Sequence, residues 1–94
     1  MHFAIICTDK PGSQELRLAN RAAHLEYIDR HADQVVLAGP MLSDDGQGMV
    51  GSLLIMEFAD RAAAEAFCAA DPYAVAGLFA KVEIRPWRRV RPQG

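Results

Sequence analysis

The chain has 94 residues, 51% of them apolar, and a formal net charge of −2. That length fits one domain. The charge gives no basis for nucleic acid or an anionic membrane surface as a partner, and no apolar run approaches the ~20 residues of a membrane-spanning helix. A domain this small buries only roughly 60% of its unfolded surface, so the surplus of apolar residues points to a subunit interface.

In chain order, residues 2–8 alternate Phe3, Ile5 and Cys7 on one face with Ala4, Ile6 and Thr8 on the other. Both faces are largely apolar, which predicts a strand buried on both sides. Such a start lacks a basic lead and a small-residue cleavage site, so no signal peptide is expected. Cys7 and Cys68 have no CxxC spacing and sit among apolar residues, which suits free buried thiols in a reducing cytosol. Asp9-Lys10-Pro11-Gly12 has turn chemistry.

Residues 14–32 read as a helix with Ser13 as N-cap and Glu15 in its first turn. Leu18, Ala22, Leu25, Ile28 and Ala32 follow helical spacing and form the expected core stripe. Arg17, Arg21, His24 and His31 fall on a neighbouring face, and for Arg17 and Arg21 this reads first as a solvated surface.

Val35 to Leu42 is a second strand, and Pro40 confines it to a sheet edge or a bulge at Gly39-Pro40. A polar loop, residues 43–48, leads to a third strand over 49–58. Ser52 is the only polar side chain in the middle of that strand. Asp60 caps an expected helix over 61–70. Lys81 to Val90 is the last strand, with the alternation of an edge strand, and residues 91–94 form a tail. Arg85, Arg88, Arg89 and Arg91 crowd this end; solvation or pairing across a dimer explains them without an acidic partner.

The order is β-α-β-β-α-β, an α+β chain with a four-stranded antiparallel sheet of ferredoxin-like topology. Such a sheet has strand order 4-1-3-2, with the two-sided apolar strands 1 and 3 in the centre. Two helices cover one face only. A second copy of the same sheet is the simplest cover for the other, so a homodimer is expected.

Asp71-Pro72 breaks the second helical region. Proline pushes the residue before it out of the helix and can itself open a new one. Asp71 then has two readings. The simpler is a cap on the turn that follows. The sharper makes it the partner of His24, because a carboxylate beside an imidazole fixes its tautomer and supports acid/base work near neutral pH. Their spacing in sequence is not diagnostic, and His24 also reads as a helix histidine packed beside Ile28.

Other groups add less. Ser52 can hold a ligand oxygen or simply bond a backbone carbonyl. Arg17 and Arg21 can draw an anion towards His24. Gly39 and Pro40 can let backbone approach a ligand, and Tyr73 can donate a hydrogen bond or serve only as core. No residues have metal-ligand spacing, no glycine-rich phosphate loop is present, and no nucleophile elbow surrounds Ser52. The expectation is a cofactor-independent protein with a small-molecule ligand.

Five segments in this order then carry a family resemblance: residues 21–28 (Arg21 to Ile28), Leu37-Ala38-Gly39-Pro40, Gly51-Ser52, Asp71-Pro72-Tyr73 with Ala76-Gly77-Leu78, and Val82 to Trp87. Together they resemble the YciI-like (YCII-related) family over roughly residues 1–90. The resemblance implies a dimeric α+β barrel, an active-site pair mapping onto His24 and Asp71, and a pocket reached by Ser52 and the Gly39-Pro40 turn. It also implies acid/base chemistry. One branch of the family is similar to a dehydrochlorinase of a chlorinated hydroxyquinol, and related barrels include muconolactone isomerases and small monooxygenases. A lyase, isomerase or dehalogenase step on a small cyclic compound is the first expectation. A non-catalytic metabolite-binding dimer is the second, and a cofactor-free oxygenase the third.

Overall fold

The computed structural model describes residues 1–93. Along the chain lie β1 (His2–Asp9), α1 (Gln14–Asp29), a 3-10 turn (Ala32–Gln34), β2 (Val35–Leu42), β3 (Met49–Glu57), α2 (Arg61–Ala70), α3 (Pro72–Val75) and β4 (Phe79–Trp87). The strands form one sheet in the order β2-β3-β1-β4, with every neighbouring pair antiparallel. This is the ferredoxin-like βαββαβ arrangement expected from the sequence, with β1 and β3 central. Of the predicted tail, residues 91–94, Gly94 lies outside the described residues.

Strand β1 runs one residue further than expected, to Asp9, and β3 ends one earlier, at Glu57; three boundaries differ by more. Helix α1 stops at Asp29 rather than 32, because His31 N–H bonds Ile28 O at 2.9 Å and tightens the end into a 3-10 turn. Strand β4 starts earlier, at Phe79. Gly77 takes a left-handed conformation (φ 78°) and Leu78 N–H returns to Tyr73 O at 3.1 Å, which closes α3 and releases the chain into the sheet. The same strand ends at Trp87 rather than 90, because Trp87 is paired with His2, the first residue of β1.

The caps also divide. Asp60 accepts from Ala63 N–H at 2.9 Å and caps α2. Ser13 makes no such bond at α1. There the first helical residue ties down the end instead: Gln14 Oε1 accepts from Met49 N–H at 3.0 Å, linking α1 to the start of β3.

One face of the sheet carries the core. Phe3, Ile5 and Cys7 of β1 and Leu54 and Met56 of β3 pack with Tyr27 and Ile28 of α1 and with Ala64 and Phe67 of α2. Of the core stripe expected on α1, Ile28 is buried and Leu18, Ala22, Leu25 and Ala32 are not. Leu18 is 53% exposed and Leu25 41%, while Arg17, His24, Tyr27 and Ile28 turn inward. Hydrogen-bond partners offset the cost of burying polar Arg17 and His24: no buried side-chain polar atom among the described residues lacks one.

On the other face Ala4 lies opposite Ile55 and Ile6 opposite Leu53, and on β2 Leu37 and Met41 continue the apolar surface to the edge. Gly51 lies between β1 and Met41. A Cβ there would come within 2.3 Å of the Cys7 carbonyl oxygen, a backbone atom that cannot rotate away. Gly51→Ala is expected to cost about 1–3 kcal/mol or more by overpacking. A urea melt that shifts by less than half a kcal/mol would show that the β1–β3 pairing yields there.

Candidate active site

Asp71 sits at the break between α2 and α3, with a backbone too extended to continue the helix (φ −59°, ψ 128°). Its Oδ1 accepts from Tyr73 N–H at 2.9 Å, which caps α3. The same oxygen lies 2.9 Å from Nδ1 of His24 on α1. Both readings of Asp71 therefore hold at once. His24 is 8% exposed and Asp71 4%. An ionised Asp71 accepts from Nδ1–H, so the neutral imidazole carries its lone pair on Nε2.

Tyr73 stacks on the His24 ring with centroids 4.0 Å apart and planes 13° from parallel. On Tyr73 also lies the Arg17 guanidinium, its carbon 4.6 Å from the ring centroid. Arg17 is 2% exposed and forms a bidentate pair with Asp9, Nε to Oδ2 at 2.7 Å and Nη2 to Oδ1 at 2.9 Å. Nη2 also donates to Ser52 Oγ at 2.9 Å. Burial works against the Arg17 charge, but the hydrogen bonds and negative charge of Asp9 outweigh it and raise the Arg17 pKa above its ordinary value. Burial pushes the Tyr73 hydroxyl up as well, against the lowering effect of the Arg17 charge.

Of these groups, Arg17, His24, Ser52 and Tyr73 border a cavity of about 320 Å3 between α1 and strands β2 and β3. Arg21, Ser52, Tyr73, Gly39 and Pro40, the expected ligand-side residues, all line it with His24. Arg21 is exposed, at the rim. Leu25, Ala38, Met49 and Leu54 supply apolar walls. Gly39 and Pro40 lie within β2, without the bulge expected there, and Pro40 is directly opposite Ser52 in the β2–β3 pairing, so the two face the same space. A cavity of about 150 Å3 takes a benzene ring, so this one has room for a substituted ring.

Sequence reasoning missed Asp9 and gave Arg17 to a solvated face. Asp9 reads as turn chemistry, yet it is the last residue of β1 and only 9% exposed. The signal for Arg17 was its spacing of seven from His24: a stripe of buried polar residues, 17 and 24, at the helical repeat. The cysteines take no part. Burial pushes the Cys7 thiol up to about 12 and the Cys68 thiol to about 11, so neither is a thiolate near neutral pH. Both are free. Among the described residues no three His, Cys, Asp or Glu side chains group as a metal site. No helix among them is long and apolar enough to cross a membrane. Trp87 lies away from the cavity, edge-on to His2 with centroids 6.1 Å apart.

Comparison with known proteins bears on this geometry. A family model described as a YCII-related domain matches residues 1–88. "Protein YciI" of Escherichia coli O6:H1 is 37% identical over 96% of this chain and 99% of its own length. Among solved structures, a 5-chloro-2-hydroxyhydroquinone dehydrochlorinase from Burkholderia phenoliruptrix AC1100, in complex with 2,5-dihydroxybenzoquinone, superposes with a TM-score of 0.87. It is 37% identical and the match covers 94% of each chain. An antibiotic biosynthesis monooxygenase at TM-score 0.53 and 17% identity shares the fold. With the family model spanning nearly the whole chain and the YciI relative matching end to end, the chain belongs to the YCII-related family.

Proposed function

We propose that the chain is a small enzyme that moves a proton on a monocyclic, oxygen-bearing compound, with His24 as the general acid/base. The observation that carries this reading is the 2.9 Å His24–Asp71 pair, buried at its Asp71 end and bordering a cavity with room for a ring. Asp71 holds the tautomer and stabilises the imidazolium that forms. Nε2 takes a proton from an acidic C–H or O–H of the ring and returns it elsewhere, or passes it to water as a leaving group departs. Arg21 attracts the ligand from the rim, Ser52 and Tyr73 hold its oxygens, and the Gly39-Pro40 stretch shapes the wall. The dehydrochlorinase relative supports a step of the lyase or dehalogenase type, in which the carbon bearing chlorine is protonated, the ring hydroxyls that become carbonyls give up their protons and chloride departs, so that HCl is lost and the quinol becomes a quinone.

The reading includes a homodimer through the uncovered sheet face. It is supported by Leu37 and Met41, 49% and 42% exposed beside the apolar centre formed by Ala4, Ile6, Leu53 and Ile55.

The test is to incubate the protein with chlorinated hydroxyquinols and with their unhalogenated parents. Chloride release and uptake of solvent deuterium into the ring are followed. Release or exchange well above the uncatalysed rate is expected. Tight binding with neither would favour the metabolite-binding reading over catalysis.

A further inference from the structure

The use of Arg17 extends beyond its pair with Asp9. A guanidinium has five N–H donors in a fixed fork. Here Nε and one N–H of Nη2 go to Asp9, and the other N–H of Nη2 goes to Ser52. Nη1, with two donors, has no acceptor among the described residues apart from the neighbouring Tyr73 hydroxyl oxygen, and that hydroxyl has no acceptor there for its own proton. Yet no buried side-chain polar atom is left without a partner among those residues. Both groups therefore open on the cavity that Arg17 and Tyr73 line. Ser52 accepts from Arg17, so its own O–H is free to donate. Donors from Nη1 and from two hydroxyls thus meet at the inner end of the cavity. The free acceptor on the same wall is His24 Nε2, with Tyr73 stacked between it and the guanidinium.

Charge points the same way. Asp9 uses both oxygens on the Nε and Nη2 edge, so it holds the fork in place from behind while Nη1 stays directed forward. Fixed donors in a dry site need no reorganisation when a charged oxygen arrives, which is where such groups have the largest effect. Arg21 at the rim adds a second positive charge along the path in.

We propose that Arg17 Nη1, the Ser52 hydroxyl and the Tyr73 hydroxyl form a subsite for a negatively charged oxygen of the ligand, so that the protein takes acidic enols and phenols as their anions. This rests on the reading of the cavity as a ring-binding site facing His24. The bound anion lies with its ionised oxygen on Arg17 and the far side of its ring towards Nε2. The donor array then selects against rings whose oxygens are blocked by alkyl groups, since these offer only neutral acceptors and lose the charge-assisted part of the hydrogen bonds.

Two probes test it: 2,5-dihydroxybenzoquinone, which ionises readily, and its dimethyl ether, which cannot. Each is titrated into the protein by calorimetry at neutral pH. The wild type is expected to bind the acid about tenfold or more tightly than the ether, the factor a charge-assisted hydrogen bond supplies. Arg17→Lys keeps a charge beside Asp9 but loses the fork, and should remove most of that preference while leaving ether binding in place. Tyr73→Phe removes one hydroxyl and keeps the ring. It should cost the acid several-fold and the ether nothing, and it carries the test if the Arg17 variant fails to fold. Equal affinity of the wild type for the two probes overturns the subsite and leaves the His24 reading standing. So do losses in the variants that are the same for both probes. Failure of the wild type to bind either probe overturns both.

Discussion

Arg17→Met is expected to lower the unfolding free energy by about 3–5 kcal/mol, the usual cost of stranding one member of a buried ion pair. The side chains of Arg17 and Asp9 are only 3% and 5% exposed. Methionine fills much of the arginine's length but leaves the Asp9 carboxylate buried with two lost donors, and Ser52 loses its own. A domain of this kind has roughly 5–15 kcal/mol in total, so the loss takes a large share of it. The contrast is with the helix-surface pairs Arg30–Glu26 and Arg61–Glu65, all more than half exposed, each worth about 0.2–1 kcal/mol. Urea unfolding of the single variant and of Asp9→Asn/Arg17→Met settles the point. The double variant, with no stranded charge, should recover part of the loss. A single-variant cost under 1 kcal/mol would mean that Asp9 finds another donor or takes up a proton without strain.

Truncating the imidazole should act on rate instead. His24→Ala is expected to reduce kcat/KM by a factor of about 10²–10⁴, the range for a positioned acid/base. Affinity for the quinone should fall much less, because the oxygen-holding groups lie on Arg17, Ser52 and Tyr73. Asp71 needs a subtler change, since one oxygen both caps α3 and holds His24. Asp71→Asn keeps a good capping oxygen and removes the charge that stabilises the imidazolium, so it isolates the electrostatic part. Asp71→Ala adds about 1 kcal/mol of lost cap. Steady-state kinetics of chloride release from a chlorinated hydroxyquinol would read all three. A His24→Ala protein with wild-type kcat would put the proton transfer elsewhere.

The fold was legible because its signals are local and agree with one another. Two-sided apolar strands at 2–8 and 49–58, a proline in the strand at 35–42 and charge alternation after Lys81 together decide which strands are central. The Asp71-Pro72 break was legible for the same reason: proline acts on its immediate neighbour. The site was half legible. His24 and Asp71 came from side-chain chemistry and the family resemblance, and Ser52 from being the one hydroxyl in the middle of an apolar strand. Arg17 and Asp9 were misread because each has an ordinary local explanation, a helix surface and a turn. Their pairing depends on where β1 ends beneath α1, which is a matter of three-dimensional approach rather than of spacing. The stripe on α1 failed likewise. Leu18 and Leu25 have the right period, but the helix turns inward Arg17 and His24, whose partners Asp9, Ser52 and Asp71 lie on other elements.

The framework and the walls of the cavity are largely separate sets of residues. Ile28 and Leu54 serve both, but Leu25, Ala38, Pro40 and Met49 border the space without belonging to the packed core. Helix α1 is moored on this side by directional ties: Gln14 to Met49, Arg17 to Asp9 and Ser52, and His24 to Asp71. Wall residues can therefore drift in size and shape over generations while the moorings hold the reacting groups in register. On the proposed reading, a lineage built this way is free to trade one ring for another by altering a few side chains while the His24–Asp71 pair stays in place.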